Sequence, residues 1–120
     1  MSTTKLILGT TVYGEASGNY DGSSLDWQSD AQQAADYYRG YGGLQTITFS
    51  LTGFQGLCIL EATLDPDADT AIWFETYRIG DLFAPMTDYH PESVTGNFTW
   101  MRVRVEGFEA GIINSVNITY

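Results

Sequence analysis

Three aspartates at alternate positions come closest to a metal site by residue type and spacing. Asp65, Asp67 and Asp69 match the first three ligand positions of a calcium-binding loop. The match then ends, because Thr70 stands where the loop needs glycine and Thr76 where it needs a bidentate glutamate. The three aspartates are therefore a weak calcium candidate. A solvated acidic turn is the alternative, since Asp and Pro favour turns, and we expect no cofactor.

Nucleophilic catalysis has one candidate pair. Cys58 and His90 are the single cysteine and the single histidine, and a thiol beside an imidazole forms a nucleophile with its base. However, Cys58 lies in the apolar run 57–60, and burial in such surroundings raises the pKa of a thiol. Cys58 is better interpreted as a small buried hydrophobic residue.

Pairs of carboxylates are the residues that glycosidases use. Glu61 with Glu75, or Asp67 with Asp69, could be proposed for that role. A chain with 15 acidic residues supplies such pairs by chance, however. The sequence therefore predicts no catalytic residue and no enzyme.

Aromatic residues concentrate in the polar first part of the chain. Three roles compete for them: packing on the domain's own core, stacking on sugar rings, and anchoring a subunit interface, where Tyr and Trp are enriched. An irregular arm of about 40 residues is longer than compact domains usually carry, which favours an interface role after core packing. The interface candidates are Tyr13, Tyr20, Trp27, Tyr37, Tyr38 and Tyr41.

The rest of the chain has the pattern of β-strands. In the last segment, Val116 and Ile118 lie on one face and polar residues on the other, as expected for a strand with one buried face. Turn signals separate several such segments, which is typical of an antiparallel sandwich or jelly roll of about seven to eight strands. The strand candidates are residues 45–52, 57–64, 71–79, 97–106 and 112–120.

Two segments between these strands share a Gly-Phe pattern, residues 53–56 and 107–111. Glycine permits the conformations of tight turns, so each segment is predicted to join two antiparallel strands. Residues 80–95 form a long connection with two prolines, Pro85 and Pro91. Proline is tolerated at a sheet edge, so this connection could contain a short edge strand.

Strand 97–106 changes its phase. Phe98 and Trp100 share one face, whereas Val103 lies on the other, and a bulge near Trp100 would turn both sets inward. Arg102 and Arg104 would then face outward. In so acidic a protein they are expected to pair across the sheet, with Glu61 or Glu75 as partners, and a binding role is the alternative.

Residues 1–43 are predicted to form an arm or edge strands on the single domain, whose sandwich core is residues 44–120. Ser29 or Asp30 could cap one short helix over residues 31–38, with Gly40 ending it.

Composition narrows the possible partners. At 120 residues the chain is long enough for one domain with its own core. Its net charge of −10 argues against nucleic-acid binding, since affinity for phosphates comes mainly from Lys and Arg. No apolar segment is long enough for a signal peptide or a membrane span, so we expect synthesis in a cytoplasm without export and no membrane partner.

Three segments together resemble a known family. They are residues 53–65, with Gly-Phe-x-Gly leading into a strand that ends Leu-Asp; residues 71–75, with Trp73; and residues 95–108, with Gly-x-Phe-x-Trp-x-Arg-Val-x-Val. The scheme is similar to a β-sandwich module of accessory virion proteins from tailed bacteriophages, especially contractile-tailed marine phages. It covers roughly residues 44–120, and related sandwiches also serve as sugar-binding modules.

The resemblance implies structural roles. Trp73 and Trp100 would pack between the sheets, and the glycines would permit the turns. The expected core residues, from the resemblance and the strand pattern together, are Trp73, Phe98, Trp100, Val103, Val116 and Ile118. The implied function is that of a non-enzymatic virion protein of the capsid, neck or tail, a homo-oligomer docked on other virion proteins. A module that binds cell-surface glycan on a phage appendage is the alternative.

Overall fold

The computed structural model describes residues 4–37 and 43–120, and these form an all-β antiparallel fold. The fold class predicted from the sequence is confirmed. Short strands at the beginning of the chain are followed by three very long ones. The strands are β1 (Thr4–Leu8), β2 (Thr11–Val12), β3 (Trp27–Gln28), β4 (Gln32–Gln33), β5 (Leu44–Thr63), β6 (Phe74–Thr95) and β7 (Trp100–Thr119).

One sheet contains all seven strands. Its order is β1-β7-β5-β6, and β2, β3 and β4 also pair with β7. The four short strands therefore follow one another along the same side of β7, from Thr119 down to Trp100. They form one edge of the sheet, and β6 forms the other.

The long strands bend sharply, which folds the sheet into two layers. A straight strand of 20 residues would measure about 66 Å, whereas the longest dimension of the molecule is 39 Å. Tyr77 and His90 lie 13 positions apart on β6, yet the Tyr77 hydroxyl is 3.0 Å from His90 Nε2 and their rings stack. The arrangement is consistent with the predicted sandwich. One layer contains β1, β2 and residues 44–51, 87–95 and 112–119, and the other contains β3, β4 and residues 57–63, 74–80 and 100–106.

Glycines allow the bend, and the prediction that the Gly-Phe segments are reversing turns is wrong. Strands β5 and β7 run through these segments side by side, with Phe54 and Phe108 fully buried and their ring centroids 5.5 Å apart. A Cβ on Gly111 would lie 2.1 Å from the Gly53 carbonyl oxygen, and Gly111 has a φ of 91°. The close backbone approach needs glycine, so the pattern marks a crease in the sheet instead of a chain reversal.

Strand β6 extends through the predicted connection. Residues 80–95 were expected to be a loop with a short edge strand, but β6 continues without a break from Phe74 to Thr95. The edge position is confirmed, because within the described residues β6 pairs only with β5. Pro85 and Pro91 are tolerated there, since an edge strand does not need every donor.

The predicted helix over residues 31–38 is absent from the part of the chain that is described. Gln32 and Gln33 pair with β7. The next backbone donors are also used in tertiary contacts: Ala34 N donates to Thr99 O at 2.9 Å, and Ala35 N donates to Gln45 Oε1 at 3.0 Å. Pairing with β7 therefore overrides a weak local helix propensity. Tyr38 and the predicted stop at Gly40 lie outside the described residues.

Residues 4–37, which we call the first segment, contain edge strands, one of the two alternatives that the sequence left open. Ile7, Tyr20, Trp27 and Ala34 belong to the same buried hydrophobic cluster as the residues of β5 and β7. The first segment thus completes the single core, and it is not an appendage.

The expected core residues separate into two groups. Val103, Val116 and Ile118 are completely buried. Trp73 and Trp100 are only partly buried, as is Phe98, which packs at the margin of the core. The bulge predicted near Trp100 is also wrong, because the pairing of β7 with β5 is regular there. Trp100 therefore shares the outer face with Arg102 and Arg104, while Val103 faces inward.

Candidate functional site

The side of β6 (Phe74–Thr95) that faces away from β5, which we call the β6 edge, carries several exposed apolar side chains. Phe83 is 90% exposed and Tyr89 is 73% exposed, and Phe74 and Leu82 are also exposed. Ile72, just before the strand, is 81% exposed. Exposed apolar side chains grouped on one strand are a feature of interaction sites on soluble proteins.

The bend in β6 places Phe83 at the tip of this surface. Opposite β6, Gln55 is the single residue of β5 between the pairs Phe54–Met86 and Gly56–Asp81, so residues 82–85 bulge outward. The Asp81 carboxylate accepts a hydrogen bond of 2.8 Å from Phe83 N, which holds the bulge. The fixed bulge explains why a large aromatic ring stands in solvent.

Charges on the β6 edge are mixed. Arg78 donates to both carboxylate oxygens of Glu75, at 2.8 Å and 2.5 Å. This hydrogen-bonded pair lowers the pKa of Glu75 and raises the pKa of Arg78. Both side chains are exposed, so the pair adds little to stability. It leaves a guanidinium group at the rim of the exposed apolar surface.

The first segment differs from the β6 edge because two of its aromatic side chains are buried. Tyr20 is buried, contacts Trp27 and Phe108 at ring distances of 5.3 and 5.1 Å, and accepts a hydrogen bond from Gly14 N. Of the interface candidates, Tyr20 and Trp27 are thus core residues. Tyr13 and Tyr37 are partly exposed, with their rings against Phe108 and Trp100. Tyr38 and Tyr41 lie outside the described residues.

The two neighbouring arginines on β7 form a structural network. Arg102 Nε and Arg104 Nε lie 2.8 and 3.2 Å from the two carboxylate oxygens of Glu61. The Arg102 guanidinium also lies 4.3 Å from the ring centroid of Trp73. The cross-strand pairing predicted from the sequence is confirmed, with Glu61 as the partner.

The carboxylates of the aspartate loop do not converge on one point. The Asp65 carboxylate accepts hydrogen bonds from Thr63 Oγ1 and Ile72 N, and that of Asp67 accepts one from Asp69 N. Across residues 4–37 and 43–120, no three His, Cys, Asp or Glu side chains converge closely enough to hold a metal ion. The bonds instead favour the interpretation of an ordered acidic turn.

Cys58 and His90 do not form a reactive pair. Cys58 is completely buried, and burial raises the pKa of its thiol. The His90 ring bonds Tyr77, and its Nε2 also lies 3.2 Å from Glu92. Burial raises the pKa of Tyr77, and the charges of Glu92 and Asp88 raise it further. These contacts join the two layers beneath the β6 edge.

A shallow cleft beside Trp100 is a second feature. It has a volume of about 400 Å³. The Trp100 indole Nε1 donates to Pro66 O at 3.1 Å, which fixes the ring at the cleft wall. The residues that line the cleft are Asp30, Ala31, Pro66, Asp67, Ala68, Asp69 and Trp100.

Comparison with known proteins adds no relative. No protein-family model, curated protein or solved structure matches the chain. Within the described residues, no helix is long and apolar enough to cross a membrane.

Sequence reasoning missed the residues of the β6 edge. Phe83 and Tyr89 were placed in a connection, although Leu82, Phe83, Met86 and Tyr89 give that segment an apolar content unusual for a loop. That content was the available signal. It was outweighed by the two prolines, which are compatible with an edge strand.

Proposed function

We propose that the protein is a non-enzymatic structural component of a bacteriophage virion, in the capsid, neck or tail. It acts by associating with copies of itself and by docking on other virion proteins. The β6 edge is the single observation that carries this proposal. A long edge strand with exposed aromatic side chains is suited to binding other protein chains.

The resemblance of residues 53–65, 71–75 and 95–108 to phage sandwich modules supports the placement on a virion. Such particles contain several symmetric copies of their structural components. Weak contacts therefore suffice, since simultaneous engagement of several copies multiplies their effect. A protein of this kind needs a stable core and an exposed contact surface, and the two layers with the β6 edge provide both.

A quantitative mass-spectrometric inventory of purified phage particles tests the proposal. The phage is one whose genome encodes this chain. We expect the protein in the particle at a fixed stoichiometry that a wash at high salt does not remove. A high copy number would place it on the capsid or tail tube, and a low one at the neck. Its absence from washed particles would contradict the proposal.

The cleft at Trp100 favours one second candidate, a module that binds carbohydrate. An aromatic ring fixed at a cleft wall can stack on a sugar ring, and the carboxylates of Asp67 and Asp69 can accept hydroxyl hydrogen bonds. A glycan array with wild type and Trp100→Ala tests this candidate. It requires a glycan that wild type retains and the variant loses. Tyr13→Ala, away from the cleft, is the control for general loss of aromatic surface.

A further inference from the structure

We propose that the β6 edge binds the β6 edge of a second copy around a two-fold axis, so that both layers of the sandwich continue into the partner. This inference rests on the proposed function, because it names the first partner of that contact surface. It commits to an isologous dimer, the commonest symmetric assembly of soluble proteins.

The first argument is the state of the two sheet edges. On either side of its bulge, β6 presents residues 74–80 and 87–95, whose outer side pairs with no strand in the described parts of the chain. Unpaired backbone donors and acceptors on such an edge are a template for another strand. The opposite edge is divided into strands of five, two, two and two residues, so it is a poor template.

The second argument is the symmetry of the bend. Because Tyr77 stacks on His90, these positions are equally far from the crease, one in each layer. A two-fold axis through the crease exchanges the layers. It therefore sets residues 74–80 of one copy beside residues 87–95 of the other, antiparallel. Both layers gain a ladder at once, which a single flat edge could not achieve.

This register gives a complementary contact. With position 77 beside position 90 of the partner, the exposed Arg78 comes beside the partner's Tyr89. A guanidinium over a tyrosine ring is an attractive pair. The two-fold axis creates this pair twice. It also covers the ring of Tyr89, whose 73% exposure is otherwise unexplained.

The area is sufficient for a stable dimer. An aromatic side chain buries about 150–250 Å² when it is fully covered. Phe74, Phe83 and Tyr89 are exposed to different degrees, and in two copies they supply roughly 800 Å². The backbone strip between them brings the total to the range of a standard interface, about 1,200 Å² or more.

The net charge of the chain makes dimer formation depend on the salt concentration. Each copy carries a net charge of −10, so two copies repel each other at low ionic strength. Salt screens this repulsion. In sedimentation equilibrium we expect a dimer whose association constant rises several-fold between about 10 mM and about 150 mM salt. A wild-type chain that remains a monomer of 13.3 kDa at all salt concentrations would overturn the proposal.

Disulfide trapping tests the register. In the double variant Arg78→Cys with Tyr89→Cys, the new thiols of one chain lie on opposite outer faces. Layers of a sandwich are about 10 Å apart, too far for a disulfide within one chain. Across the two-fold axis the same positions are neighbours. Under a mild added oxidant we therefore expect a covalent dimer on a non-reducing gel, reversed by reductant.

The controls separate this outcome from random collision. Each single variant should give little covalent dimer, since position 78 faces position 89 and not itself. The buried thiol of Cys58 contributes no background. The matched pair is Leu6→Cys with Leu25→Cys, both 51% exposed in the first segment. Equal cross-linking in this pair would overturn the proposal, as would no cross-linking in the β6 pair when circular dichroism shows it folded.

The result is distinguishable from that of the proposed function. A virion protein that remains monomeric when pure would contradict the β6 dimer and leave docking on other virion proteins intact. A trapped dimer from a protein absent from washed particles would contradict the virion role and leave the dimer intact.

Discussion

The two edges of the sheet solve the same problem in different ways. Every open sheet ends in strands whose outer backbone groups need partners, water or protection. The first segment protects its edge because β1 to β4 are short and because Tyr20 and Trp27 pack into the core. Strand β6 is long, and two of its aromatic side chains, Phe83 and Tyr89, are largely exposed. One edge therefore contributes to folding, and the other is available for binding.

The largest effect is expected from removal of the first segment. Deleting residues 1–37 removes Ile7, Tyr20, Trp27 and Ala34 from the core and exposes one whole side of β7. We expect the truncated chain not to fold, with no near-ultraviolet circular dichroism and no cooperative thermal transition. A truncated chain that melts cooperatively would instead support a dispensable arm.

A matched pair of single substitutions measures the same contrast more finely. Tyr20→Ala removes a buried ring that contacts Trp27 and Phe108, so it should lower the free energy of unfolding by about 3–5 kcal/mol. Phe83→Ala removes a ring that is 90% exposed and should change it by no more than about 0.5 kcal/mol. Urea unfolding at low protein concentration measures both values without a contribution from dimer formation. Similar losses in the two variants would erase the distinction between the edges.

The next largest change in stability is expected at the crease, where β5 and β7 bend from one layer into the other. Gly111 and Gly14 both have φ values near 90°, but only at Gly111 would an added Cβ meet backbone, 2.1 Å from Gly53 O. Gly14→Ala should lower the free energy of unfolding by about 1–2 kcal/mol, because alanine disfavours the left-handed conformation. Gly111→Ala should cost at least about 3 kcal/mol, because strain adds to a forced separation of β5 and β7. Equal costs in thermal unfolding would show that the strands can separate freely at the crease.

Local sequence patterns predicted where strands lie, but they did not predict that β5 and β7 continue through the Gly-Phe segments. The alternation around Val116 and Ile118 correctly placed buried positions, and the charges of Arg102 and Arg104 correctly predicted a carboxylate partner. The Gly-Phe segments were misread because glycine with positive φ serves a reversing turn and a crease equally well. The two are distinguished only by the neighbouring strand, which local sequence does not specify.

The candidate site was missed for a related reason. An edge strand keeps prolines and charges that a central strand excludes, so residues 80–95 have the composition of a loop. The tyrosines and tryptophan of the first segment were favoured for an interface because their surroundings are polar. Tyr20 and Trp27 are buried by contacts with Phe108, more than 80 residues away in the chain. Composition alone could not reveal contacts over such a separation.

The smallest predicted effect concerns a loop of the first segment and depends on pH. Backbone N–H groups of Ser23 and Ser24 bond the Asp21 carboxylate and lower its pKa to about 2. Because the pKa is depressed in the folded state, the stabilisation is present above the ordinary value of 3.8 and is lost as the pH falls through about 2. Asp21→Asn should therefore be less stable than wild type at neutral pH, and the difference should shrink towards pH 2.

Thermal unfolding from about pH 7 to about pH 2 measures this difference. If Asp21→Asn differed from wild type by the same amount at every pH, the backbone bonds would not depend on the charge. The loop of the first segment would then be held by its packing alone, and its role in closing that edge would rest on Tyr20 and Trp27.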